Sequence, residues 1–237
     1  VVLLVFREPT RTGGDEQSGG AGGSGDDTDE STEDSLLARL RDPLVVAALV
    51  GRAVPSFLWF AFLTYASVVT GRLLGGSAGI AGLVVGLASL GSAVGGTQVG
   101  RVTATFDGRG GPLAVTMTVC GVGLAAFGLA PSLPTAAVAA VLVGAGFGTV
   151  LTLYRSTVTG LADAGARGGL VSVGESVGRV GSTAAPLALG GLVAVGTPLI
   201  GFEAALRYTL LGTAAVGTVA GAGLGLLAGR AHSRVRT

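Results

Sequence analysis

The 237-residue sequence contains no lysine, no asparagine, one cysteine and one histidine. A single cysteine, Cys120, rules out a disulfide within the chain. Cys120 and His232 cannot assemble a His/Cys metal site between them. With no asparagine there is no N-glycosylation acceptor. Charge is scarce too: 12% of residues, against about 25% in an ordinary soluble domain. No Ser/His/Asp set, HExxH motif or pair of intramembrane carboxylates is present, so an enzyme reading has little to stand on. No cofactor is called for. No basic surface with interleaved aromatics points to nucleic acid.

Apolar residues are plentiful at 49%, the mean hydropathy is +0.70, and 44 residues are glycine without a Gly-X-Y period. The charge that exists is segregated. Residues 7–42 hold ten acids and four arginines, a net −6, while residues 43–237 hold four acids and eleven arginines, a net +7. The chain therefore divides into an acidic hydrophilic segment and a long apolar remainder, the pattern of an integral membrane protein.

The first six residues, Val-Val-Leu-Leu-Val-Phe, reach only about 9 Å as a helix. They read as the end of a transmembrane helix that begins upstream. Residues 7–42 are rich in Gly, Ser, Asp, Glu and Thr and read as a disordered linker. Its last part, 34–42, predicts a short amphipathic helix with Leu36, Leu37 and Leu40 on one face.

Six apolar segments follow, at about 44–71, 77–100, 113–131, 134–155, 168–196 and 203–229. Each approaches the ~20 residues that a spanning helix needs. Pro43, Pro112, Pro134 and Pro198 sit at or beside segment ends. The predicted units are 1–6, 7–42, a six-helix domain over 43–229 and a basic tail over 230–237. With six crossings, Arg39, Arg41, Arg101, Arg109, Arg155, Arg167, Arg230, Arg234 and Arg236 fall on one side of the bilayer, and Arg72 and Arg207 on the other. By the positive-inside rule the linker and C-terminal tail are cytoplasmic.

Charges within spans are costly, so they are the strongest functional pointers. Arg52 lies in the first span, Glu175 and Arg179 in the fifth. Glu175 and Arg179 are four residues apart and share a helix face. Two readings stay open. The carboxylate could load a proton or bind a cation, with the arginines tuning it or holding an anionic substrate. Alternatively the three residues form a structural ion pair locking two helices. Trp59 and Tyr65 are candidate cavity residues, and Tyr154, beside Arg155, reads as an interfacial anchor.

Glycines recur at four-residue spacing: Gly82/Gly86 and Gly91/Gly95, Gly144/Gly148, Gly174/Gly178, and Gly217, Gly221, Gly225 and Gly229. Such faces let helices approach closely. Gly121–Ala126 fits GxGxxA but follows no predicted strand, so nucleotide binding does not follow.

Two patterns carry a family resemblance. The loop from Gly100 and Arg101 through Ala104, Thr105, Asp107, Gly108 and Arg109 resembles a degenerate G-x-x-x-D-R-x-G-R-R loop of the major facilitator superfamily. Gly100, Gly108 and Arg109 match, while Ala104 and Thr105 replace the charged pair and the loop is one residue longer. Arg167-Gly168-Gly169, followed by the run from Gly178 to Pro186, resembles the RG pair that opens the penultimate helix and its later G-x-x-x-x-P segment. With the linker and six spans, the whole chain resembles the C-terminal half of such a transporter.

The resemblance implies an all-α bundle of 3+3 inverted repeats, one half of a 12-helix fold. It implies a partner N-terminal six-helix half, a small-molecule substrate, a proton or sodium ion for coupling, and secondary transport across the cytoplasmic membrane, with export as one direction. The first and fourth helices would line the cavity, with Arg52, Trp59 and Tyr65 as candidates, and the second and fifth would face the other half. Gly100, Arg101, Asp107, Gly108 and Arg109 would brace the cytoplasmic gate. Glu175 would titrate, with Arg52 or Arg179 as counter-charge. The competing reading is a self-contained six-helix scaffold, channel or sensor that dimerises through its glycine faces.

Overall fold

The computed structural model describes residues 41–106, 108–161 and 167–236. Residues 1–40, Asp107, 162–166 and 237, and with them most of the linker and the amphipathic helix, lie outside the described residues. Helices α1 (Pro43–Gly51) and α2 (Ala53–Val68), with a π-helical turn Val69–Leu73, form the first span. The second is α3 (Ala78–Thr97), followed by the short α4 (Val99–Ala104). The third is α5 (Gly110–Gly128), the fourth α6 (Leu133–Leu161), the fifth α7 (Arg167–Ile200) and the sixth α8 (Phe202–Arg236). All six are long and apolar enough to cross a membrane.

The first span is broken at Arg52, the charge in its interior. Pro55 has no N–H for the Gly51 carbonyl and its ring crowds that oxygen. The chain tightens instead: the Arg52 backbone N–H donates to Leu49 O at 3.1 Å, three residues back rather than four. The connection between α7 and α8 is Gly201 alone, with φ +82°, a conformation that suits a residue without Cβ.

The most extensive helix pairings are second with fourth, third with sixth, third with fourth, and first with fifth, and the first also packs on the sixth. Exchanging helices 1–3 with helices 4–6 turns the first–fifth pair into the second–fourth pair and leaves the third–sixth pair unchanged. That invariance is what an inverted 3+3 repeat requires. The core runs between the pairs: Phe62 of α2 meets Phe127 of α5 edge-on at 4.9 Å, and Leu58, Met117, Leu153, Leu206 and Leu210 are fully buried.

The glycine spacing resolves into different roles. Gly91 and Gly95 lie on the backbone of Val141 and Ala145, while Gly144 and Gly148 lie on the backbone of Ala88 and Ser92. At all four positions a Cβ would overlap the facing backbone, so α3 and α6 interlock. Thr149 Oγ1 adds a hydrogen bond across the pair, donating to Gly95 O at 2.8 Å. Gly217, Gly221 and Gly225 are buried under Leu58, Met117 and Leu113, so the sixth-helix ladder is used inside the chain. Gly82 and Gly86 are exposed and a Cβ at either would meet nothing within 4 Å, so they pack no helix pair among the described residues.

Candidate functional site

Three helices bring charge together near the bundle end where α1 begins. Arg52, at the α1/α2 break, Arg155 in α6 and Glu175 in α7 lie about 9–14 Å from the helix ends on that side. Glu175 engages two arginines at once. Its Oε1 accepts from Arg155 Nε at 2.8 Å, and its Oε2 accepts from Arg52 Nη2 at 3.4 Å. Arg52 Nη1 also donates to Ser56 Oγ at 2.5 Å, one turn along its own span. Side-chain exposure grades from 8% at Arg52 through 33% at Glu175 to 58% at Arg155. The cluster thus runs from the bundle interior to its surface.

Glycine makes room for the buried member. A Cβ on Gly178 would stand 3.0 Å from Arg52 Nη1, and one on Gly181 would meet the Ala53 carbonyl oxygen. Gly174, one turn earlier, faces Leu49 at 3.5 Å. The α7 glycines are therefore the floor on which the broken segment of the first span rests.

Of the two counter-charges that the sequence offers for Glu175, Arg52 pairs with it and Arg179 does not. Arg179 shares the α7 sequence spacing with Glu175 but is exposed, and its side chain makes no hydrogen bond or ion pair with a described residue. It acts on Glu175 only through space. Arg155 takes the place expected for it. The sequence predicts a fourth span that ends at residue 155 with this arginine in the following loop, whereas α6 continues to Leu161. Ser156 and Thr157 hydroxyls donate back to Leu153 O, and Thr159 to Arg155 O, so polar residues extend the helix without leaving its carbonyls bare.

Tyr154 is a second correction. It is not an interfacial anchor but fully buried, its ring against Gly51 at the break in the first span. Its hydroxyl and Arg52 Nε are buried without a partner among the described residues. Both residues line a cleft of about 10 Å³ with Arg155, Val158, Val171 and Glu175, room for roughly one water molecule.

The other candidates are distributed along the first span. Trp59 is half-buried and stacks on Phe147 of α6, centroids 4.7 Å apart and planes within 6°. Tyr65 is buried nearer the opposite end, beside Gly190 of α7. Neither touches the charged cluster. Gly100 and Arg101 lie within the short α4 and not in a loop; Gly100 is exposed and Arg101 Nη1 donates to Gln98 Oε1 at 2.9 Å, while Gly108, in the α4–α5 loop, has φ +100°. Arg109 donates to Ser156 Oγ of α6, tying the loop to the helix that carries Arg155. Asp107 lies outside the described residues. A larger apolar hollow of about 510 Å³ lies between Phe57, Ala184 and Val216 of the first, fifth and sixth spans.

No protein-family model and no curated protein matches the sequence. Solved structures do match. A bacterial homologue of the human lysosomal transporter Spinster, inward-facing and unoccupied, superposes with TM-score 0.72 at 17% identity, over 96% of this chain and 55% of that one. The xylose transporter XylE from E. coli, partially occluded and inward-open, gives 0.65 at 17% identity over 81% and 49%. The proton:xylose symporter XylE bound to 6-bromo-6-deoxy-D-glucose, a major facilitator superfamily protein, gives 0.59 at 14% identity over 82% and 45%. The chain spans about half the length of these transporters. It has the fold of one half of a major facilitator superfamily transporter, a multi-pass membrane bundle of six helices.

Proposed function

We propose that this chain is the C-terminal half of a secondary active transporter of the cytoplasmic membrane, coupled to protons through Glu175. The observation that carries the reading is the Arg52–Glu175–Arg155 cluster, which joins the first, fourth and fifth spans by ion pairs within their membrane-crossing lengths. Ionisable side chains at such positions are expensive to keep and mark ion and substrate pathways. A protonated Glu175 releases both arginines and frees three helices to shift; a charged one holds them. The exposed second and fifth spans, the least covered by the rest of the chain, fit a seam with another six-helix half. The arginines at the α1 end of the bundle, Arg101, Arg109, Arg167 and Arg230 among them, support placing that end in the cytoplasm. The dimerising-scaffold reading loses its main surface, because Gly217, Gly221 and Gly225 are covered by the chain itself.

The test is proton movement in vesicles reconstituted with the full-length protein, across a panel of small solutes and with the pH gradient in both directions. At least one solute should move protons with the wild type, and Glu175→Gln should abolish the coupling. Proton-coupled flux that survives Glu175→Gln overturns the assignment.

A further inference from the structure

Arg52, Arg155, Arg179 and Glu175 sum to a charge of +2 within the spans, where uncompensated charge is most costly. Both Glu175 oxygens are already engaged. Donors remain over. The two terminal nitrogens of Arg155 bond no described residue, and its side chain is more than half exposed. Arg179 lies one turn beyond Glu175, exposed and unpaired among the described residues. Behind them Tyr154 Oη and Arg52 Nε are buried with no acceptor among the described residues, at the cleft that Arg155 and Glu175 also line. Buried donors without acceptors are rare, and guanidinium groups match carboxylate and phosphate oxygens in geometry.

We propose that Arg155 and Arg179 hold an anionic group, a carboxylate or phosphate, on the exposed side of the cluster between the fourth and fifth spans, and that Glu175 competes with it for Arg155. The closed cleft has room for only about one water molecule, so the anion binds outside it, against the exposed edge of Arg155. Protonation of Glu175 hands Arg155 to the anion. Proton loading and anion binding are then the same event at one guanidinium. This names the substrate class of the transporter proposed above and rests on that reading. A free organic anion and a phospholipid headgroup offer the same chemistry.

The experiment measures binding to the full-length protein in phosphatidylcholine nanodiscs, using benzoate, inorganic phosphate and the neutral benzamide as probes. Benzoate or phosphate should bind and benzamide should not. Arg155→Gln and Arg179→Gln should each weaken anion binding about tenfold, the equivalent of one lost charge-assisted contact. Glu175→Gln should strengthen it, a change that a merely structural role would not produce. Arg179 bonds no described residue, so its variant breaks no contact within this half and reports binding even where Arg155→Gln misfolds. Benzamide binding as well as benzoate, unchanged affinity in Arg179→Gln, or weaker binding in Glu175→Gln overturns the proposal. Nanodiscs containing phosphatidylglycerol separate the two sources: if that lipid alone stabilises the protein, and does so through Arg155 and Arg179, the anion site stands and the transported anion falls. Proton-coupled flux that depends on Glu175 without anion binding removes this inference and leaves the transport reading; anion binding without flux does the reverse.

Discussion

Arg155 Nε and Glu175 Oε1 stand 2.8 Å apart across a helix reversal, twenty residues apart in sequence. The same carboxylate reaches Arg52 in the first span. One acid therefore couples three helices, and its two arginines sit in different surroundings. That difference makes the arginines respond differently to substitution.

Arg155 is mostly exposed, so its pairing with Glu175 contributes little to stability. A double-mutant cycle with Arg155→Gln and Glu175→Gln should give a coupling of about 0.5–1 kcal/mol. Unfolding of the purified protein in detergent measures it.

Arg52 is buried, and its effect is asymmetric. Glu175→Gln leaves a buried guanidinium without its counter-ion and should destabilise by about 1–3 kcal/mol. Arg52→Met removes the buried charge and its unpartnered Nε, while Glu175 keeps Arg155, so it should be nearly neutral. The double variant should recover most of the stability lost in Glu175→Gln. The same unfolding measurement decides the order.

Tyr154→Phe removes a hydroxyl that has no partner and should leave stability unchanged or slightly raised, by up to about 1 kcal/mol. A loss above about 1 kcal/mol would mean that the hydroxyl is satisfied, by a water in the cleft.

The interlocked α3–α6 pair gives a steric contrast. Gly148→Val drives a side chain into the Ser92 backbone and should abolish folded protein, as judged by gel filtration of detergent extracts. Gly82→Ala and Gly86→Ala meet open space and should express as the wild type does.

The six spans were legible because run length and apolarity are one-dimensional properties. The cluster was legible only in part. Arg52 and Glu175 stood out as charges in apolar runs. Arg155 did not, because Ser156, Thr157 and Thr159 lower the hydropathy around it while their hydroxyls keep the helix going. Tyr154 was misplaced for the same reason, since its polar neighbour hid its buried side. Pro55, three residues after Arg52, was the available signal for the break in the first span. The sharing of Glu175 depends on how three helices pack, which no local spacing encodes. Arg179 has the right spacing to Glu175 but stays exposed and unbonded to it, while Arg52 reaches α7 over Gly178.

The central claim is that this bundle is half of an alternating-access transporter, and cysteine accessibility tests it most directly. Cys120, the one cysteine of this sequence, is buried, so this half contributes a quiet background. Val50 and Ser67 are exposed on the first span, about 25 Å apart along its axis. With V50C and S67C made singly in the full-length protein, a membrane-impermeant maleimide should label them in opposition as the pH gradient is reversed, one gaining access while the other loses it. Labelling of both positions that stays fixed under every gradient would contradict the account.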